Sequence, residues 1–165
     1  MKKLALTDFA KYRYPSALEL SPDGRYLTFA LKEVDREGDG YRWNLWLYDL
    51  ESRESRQITR GDDQRKAVWE DNTHILYKTT ELDEAMRARG FEEEWTVYHR
   101  LNVCTGEESE AFRLPMSVSG LWKMDEGRYV FTGETHLDRP NLLELTGQAL
   151  EKELVRRQQT KGYKV

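Results

Sequence analysis

Three stretches of this chain repeat one another at a spacing of about fifty residues, and a repeat of that period limits the choice of fold to stacked, similar units. The first unit contains Leu18-Glu19-Leu20-Ser21-Pro22-Asp23-Gly24-Arg25-Tyr26-Leu27-Thr28-Phe29. The second contains Val68-Trp69-Glu70-Asp71-Asn72-Thr73-His74-Ile75-Leu76-Tyr77, and the third Leu121-Trp122-Lys123-Met124-Asp125-Glu126-Gly127-Arg128-Tyr129-Val130-Phe131. In each, an Asp stands six residues before an aromatic. Such a unit reads as a short strand, a tight turn and a second, apolar-rich strand. Asp23-Gly24 and Glu126-Gly127 supply the positive-φ residue a tight hairpin needs, and Asp71-Asn72 does so less comfortably.

Each unit continues in the same order. After the first come Trp43–Leu50, the polar turn Glu51-Ser52-Arg53-Glu54, and Ser55–Thr59, which read as a third and fourth strand. After the second come Trp95–Val103, the turn Cys104-Thr105-Gly106-Glu107, and Ser109–Leu114. Four antiparallel strands per unit make a propeller blade. The third unit is expected to reach a third strand at Asn141–Leu145 and then to leave the pattern. Thr146 is placed to cap a helix over Gln148–Gln159, with Glu151 and Glu153 early, Arg156 and Arg157 late, and Ala149, Leu150, Leu154 and Val155 as a partial apolar stripe. Two charged stretches, Lys32–Arg42 and Thr80–Glu94, read as long surface connections, with a turn or two of helix over Leu82–Arg89 ended by Gly90. A brief helix over Thr7–Tyr12, capped by Thr7, precedes Pro15.

The expected fold class is therefore all-β: an incomplete β-propeller of about two and a half four-stranded blades, with a short N-terminal helix and a C-terminal helical segment. The divisions are a leader at 1–16, blade 1 at 17–61, blade 2 at 62–115, a partial blade 3 at 116–146 and a helical connection at 147–165. A propeller closes with roughly four to eight blades, so the ring is expected to need further blades or a second copy, and the C-terminus reads as a cut through a longer chain. Open blade edges would then favour association.

Composition narrows the function. The 165 residues are 38% hydrophobic and 34% charged, with 12% aromatics, which suits a folded β protein rather than a disordered chain. The net charge of −4, with both signs mixed along the chain, provides no basic footprint, so neither nucleic acid nor a membrane surface is an expected partner. Cys104 is the only cysteine; no intrachain disulfide is possible, and a lone cysteine is read as a small buried hydrophobe. The apolar run after Lys2-Lys3 is too short for a signal-peptide core, and no run approaches the roughly 20 apolar residues of a membrane span. The expected location is cytoplasmic.

The turn Ser21-Pro22-Asp23-Gly24-Arg25 with the strand Tyr26-Leu27-Thr28-Phe29 resembles the repeat in the propellers of acylaminoacyl peptidases, dipeptidyl peptidases and the periplasmic Tol-system propeller protein. Leu45-Trp46-Leu47-Tyr48-Asp49-Leu50 with Arg56-Gln57-Ile58-Thr59-Arg60-Gly61 resembles the third and fourth strands of the same blade. The leader Leu6–Ser16 and the charged stretch Leu150–Val165 lean toward the peptidases of the prolyl-oligopeptidase family. Only the first unit matches the motif closely; the second has Trp69-Glu70-Asp71-Asn72 in its place and the third Lys123-Met124-Asp125-Glu126-Gly127. The resemblance implies a two-domain serine peptidase in which a propeller gates peptide access to a separate α/β-hydrolase domain. This chain would supply part of the filter, and the nucleophile, Asp and His would come from elsewhere. The alternative is a propeller that serves as a protein-interaction scaffold, as in the Tol system.

No catalytic residue, cofactor site or metal site is expected here. A nucleophile elbow needs Gly-x-Ser-x-Gly; the nearest serine-glycine pair, Ser119-Gly120, has Ser117 where the first glycine belongs and reads as a strand lead-in. His74, His99 and His136 lie far apart, none with a second ligand at zinc spacing. The acidic run Glu92-Glu93-Glu94 is the one tempting site, because some dipeptidyl peptidases hold a substrate amine with propeller glutamates; as three consecutive glutamates beside a charged loop it reads first as a solvated connection. Trp43, Trp46, Trp69, Trp95 and Trp122 recur at repeat-related places and read as inter-blade core rather than a stacking surface.

Overall fold

The computed structural model describes residues 6–35, 37–125, 127–135 and 138–161, without the side chains of 6, 7 and 161. The Thr7 cap, Glu126, His136 and residues 162–165 fall outside the described residues.

The first sheet orders its strands as they occur in the chain: β1 (Tyr14–Leu20), β2 (Tyr26–Asp35), β3 (Gly40–Asp49) and β4 (Glu54–Gln57), all antiparallel. Its first turn is built by side chains. Buried Ser21 donates from Oγ to Asp23 Oδ1 at 2.6 Å and accepts from the Tyr26 N–H at 2.8 Å, while Gly24 takes φ 75°. A side chain at Gly24 would meet that left-handed backbone, which is why the motif places glycine there. The hydrogen bond from Ser21, followed by the Arg25 N–H, holds the Asp23 carboxyl below its ordinary range.

The second sheet repeats the pattern with β5 (Ala67–Trp69), β6 (His74–Leu82), β7 (Glu94–Asn102) and β8 (Glu108–Leu114). Asp71 takes the place of Asp23, accepting from the Thr73 and His74 N–H groups at 2.7 and 2.8 Å. The first of the two expected long connections is mostly strand, and the second is strand at its two ends. β2 and β3 pair without interruption from Tyr26↔Asp49 to Asp35↔Gly40, and β6 and β7 run on to Leu82↔Glu94, with Lys32–Val34 half-buried and the chain becoming exposed from Thr80 onward. What remains of the second connection holds α1 (Glu84–Ala88), capped by Asp83, which accepts from Met86 N at 2.9 Å, and followed by Gly90 at φ 80°.

The third sheet has two strands among the described residues, β9 (Val118–Asp125) and β10 (Arg128–Gly133). The strand expected at Asn141–Leu145 is instead a 3₁₀ turn over Leu142–Glu144. Pro140 has no N–H for a ladder, and Asn141 captures the Leu143 N–H at 3.0 Å, so the local side chain outcompetes pairing. α2 follows over Gly147–Lys161. Of its expected stripe, Leu150 and Leu154 face inward, packed with Leu142, Met86 and Phe91, while Ala149 and Val155 are exposed. The last helix thus lies on the insert of the second sheet rather than on its own.

The sheets stack through their faces, and β1 lies against β5 as β5 lies against β9. Strand alternation assigns two faces to each sheet. Ala30, Leu45 and Leu47 look forward from the first sheet onto Ala67, Ile75, Tyr77 and Leu101 of the second; Leu76 and Tyr98 look forward from the second onto Leu121 and Tyr129 of the third. Trp69 crosses the first interface, donating from Nε1 to the Glu19 carbonyl at 3.1 Å. Glu70 joins the second: its carboxylate takes both a bidentate Arg100 and, at 2.5 Å, the Tyr129 hydroxyl, while its carbonyl accepts from Lys123 Nζ. Two faces remain without a neighbouring sheet among the described residues. The third sheet ends on Trp122, Met124 and Val130, and the first begins on Leu18 and Leu20, all exposed.

Candidate functional site

The connections between second and third strands, and those between successive sheets, emerge on one side of the stack, and a polar trough lies there. Its larger part, ≈ 920 Å³, is lined by Arg87, Arg139, Arg156 and Arg157 together with Glu92, Glu93 and Asp138. A second part of ≈ 350 Å³ shares Glu92, Glu93, Arg139 and Arg157 and extends past Glu94, Glu134 and the Pro115–Ser117 connection. Three regions distant in sequence make the larger part: α1 with the segment after it, the loop ahead of the 3₁₀ turn, and the later turns of α2.

Arg157 is the keystone. It is 18% exposed and spends its donors on Glu93 (2.9 Å), Glu153 (3.1 Å) and the Pro140 carbonyl (2.6 Å), tying α2 to both loops. Glu153, one turn earlier, also takes two donors of Arg156 at 2.7 and 2.8 Å. The Arg156 guanidinium first, then Arg157, against partial burial, hold its carboxyl at about 2. A further pair, Arg89–Glu151 at 2.6 Å, fastens the helix to the end of α1. Arg87 and Arg139 are less engaged. Among the described residues the nearest carboxylates to them are Glu84 at 3.6 Å and Asp138 at 3.7 Å, beyond hydrogen-bond reach.

The three glutamates singled out in the sequence all line the trough, with different duties. Glu93 is committed to Arg157; Glu92 is exposed, and Glu94, also exposed, opens β7. The arginines that share the space with them were not singled out. Glu153, Arg156 and Arg157 at i, i+3 and i+4 were visible as helix charges, but their meeting with residue 93 depends on α2 folding back.

The remaining candidates take structural places. Ser119 Oγ pairs with Thr132 Oγ1 across β9 and β10 at 2.9 Å, and the Ser117 carbonyl accepts from the Glu134 N–H. His74 sits between Asp71 (2.9 Å) and Asn102 (3.2 Å); His99 stacks on Tyr77 and meets Thr79 at 2.8 Å. Cys104 is exposed rather than buried, because it stands in the β7–β8 turn, where its N–H is taken by Asn102; its sulfur lies 3.8 Å from the Tyr26 hydroxyl. Of the five tryptophans only Trp69 is fully buried. Trp43, Trp46 and Trp95 are half-buried, and Trp122 is 46% exposed because no sheet follows on its face among the described residues.

No family profile matches the sequence, and no curated protein matches it. Solved structures do match it, among them the following two. The β-propeller domain of the Trilobed protease from Pyrococcus furiosus, described as having an open velcro topology, superposes with a TM-score of 0.53 at 14% identity, over 74% of this chain and 34% of that one. Acylaminoacyl peptidase from Pyrococcus horikoshii superposes with a TM-score of 0.40 at 15% identity, over 69% and 27%. The chain therefore spans about a third of the length of the propeller domain it matches. With three stacked antiparallel sheets whose first strands lie side by side, the chain has the fold of part of a β-propeller.

Proposed function

We propose that this chain is a non-catalytic propeller segment of a serine peptidase of the prolyl-oligopeptidase family, controlling which peptides reach a separate α/β-hydrolase domain. The observation that carries the reading is the pairing of fold and motif: the matched structure is the propeller of a protease, and the Ser21–Arg25 turn that suggested such a propeller is built from the Ser21–Asp23–Tyr26 bonds. The open faces at Trp122, Met124 and Val130 and at Leu18 and Leu20 suit further blades on either side. The polar trough suits a surface that meets peptides rather than lipid or nucleic acid, with acids and bases interleaved.

The test is to treat the complete gene product with a fluorophosphonate probe for serine hydrolases and to assay an acyl-amino-acid ester and a dipeptide amide. The reading expects covalent labelling outside residues 1–165, and hydrolysis that falls sharply when the peptide is replaced by a folded protein. A gene product that binds no probe and cleaves neither substrate would replace it with the interaction-scaffold reading.

A further inference from the structure

Arg157 commits each of its three nitrogens to a protein acceptor, whereas Arg87 and Arg139, 61% and 57% exposed, make no side-chain hydrogen bond among the described residues. Arg156 offers its remaining N–H groups on the same wall while Glu153 fixes its orientation. A guanidinium has five donors in a planar fork that matches a carboxylate two bonds at a time. Three such side chains line one space while the fourth holds the wall in place, a donor set suited to a planar anion. Glu92, Glu93 and Asp138 stand in the same space and offset much of its positive charge, which leaves the planar fork rather than total charge to select the ligand. The trough then continues past Glu94, Glu134 and the Pro115–Ser117 connection, as an elongated ligand would require.

We propose that the trough is a peptide-carboxylate site in which Arg87, Arg139 and Arg156 take the free C-terminal carboxylate of a short peptide. The inference rests on the peptide-filter reading above for the class of ligand, and on the uncommitted arginines that line the trough for the group recognised. It predicts that peptides with a free C-terminus are gathered at this face in preference to amidated or chain-internal segments.

The experiment is calorimetric titration of the full chain at low ionic strength with N-acetyl-trialanine, its C-terminal amide, and inorganic phosphate. The free acid is expected to bind, and the amide at least about tenfold more weakly, as loss of a charge-assisted fork implies. Arg87→Gln and Arg139→Gln, which leave the Glu153–Arg156–Arg157–Glu93 links intact, are each expected to weaken the acid by about three- to tenfold, with Arg128→Gln, at the β9–β10 turn, unchanged. Absence of binding by the acid, equal binding of acid and amide, or phosphate binding as tightly as the acid would each overturn the assignment. Because the titration uses this chain alone, a gene product that proves to lack a serine hydrolase would overturn the filter reading without altering these results.

Discussion

Truncating Leu154 to alanine tests how α2 is held. Leu154 is 2% exposed and packs with Met86, Phe91 and Leu142, a cluster separate from the two inter-sheet cores. A buried Leu→Ala change costs about 3 kcal/mol when the surroundings relax only partly. Since that cluster is small and local, the loss should fall on the docking of α2 rather than on the sheets. Three kcal/mol corresponds to roughly a hundredfold or more in an opening equilibrium. Hydrogen exchange followed by mass spectrometry should therefore show amides of α2 and of the 3₁₀ turn exchanging about two orders of magnitude faster in Leu154→Ala. Amides of β2, β3, β6 and β7 should be nearly unchanged. Equal acceleration in the sheets would refute the reasoning, since it would make α2 part of one cooperative unit; no acceleration in α2 would refute the packing itself. The variant should also lose the trough, because Arg156 and Arg157 travel with the helix.

Two further changes probe the links within and between the sheets. Asp71 has its carboxyl lowered to about 2, since the Thr73 and His74 hydrogen bonds outweigh partial burial; a depressed folded value stabilises above the unfolded value and is lost as pH falls through the folded one. Asp71→Asn should therefore cost about 1 kcal/mol at neutral pH, discounted for its exposure, and the gap from the parent in urea melts should close between about pH 4 and 2. Glu70 is held below the usual carboxylate range by Arg100, against burial, with Tyr129 adding to the effect, and Tyr129 in turn is pushed up to about 12 by burial and by its bond to Glu70. A double-mutant cycle of Glu70→Gln with Tyr129→Phe should return a coupling of about 1 to 2 kcal/mol, and no coupling would mean that this bond does not join the second and third sheets.

The strands were legible because each blade carries its own local instructions. The Asp23 and Asp71 turns are written in adjacent residues, and the alternation of Thr28 and Ala30 against Leu27 and Phe29 is a two-residue period. Where the reading failed, a non-local contact or a single side chain decided. Lys32–Arg42 looked like a solvated loop because its residues are charged, yet exposed antiparallel strands carry charge readily when each backbone group is paired, as from Lys32↔Trp43 to Asp35↔Gly40. The Leu142-Leu143-Glu144-Leu145 run had strand composition, and one asparagine cap with a preceding proline turned it into a 3₁₀ turn. Trp122 looked like core because Trp69 is core; the difference is the sheet in front of it, which no residue within the unit encodes. The trough was half visible, through Glu92–Glu94, and its arginines were hidden by about sixty residues of intervening chain between α1 and α2.

The central claim is that these three sheets are a run of propeller blades whose end faces meet further blades. Hydroxyl-radical footprinting of this chain and of the complete gene product, read by mass spectrometry at Trp122 and Met124 with buried Trp69 as internal reference, tests it most directly. The account predicts that Trp122 and Met124 are oxidised readily in this chain and protected several-fold in the complete product, with Trp69 slow in both. Equal oxidation of Trp122 and Met124 in the two samples would contradict it.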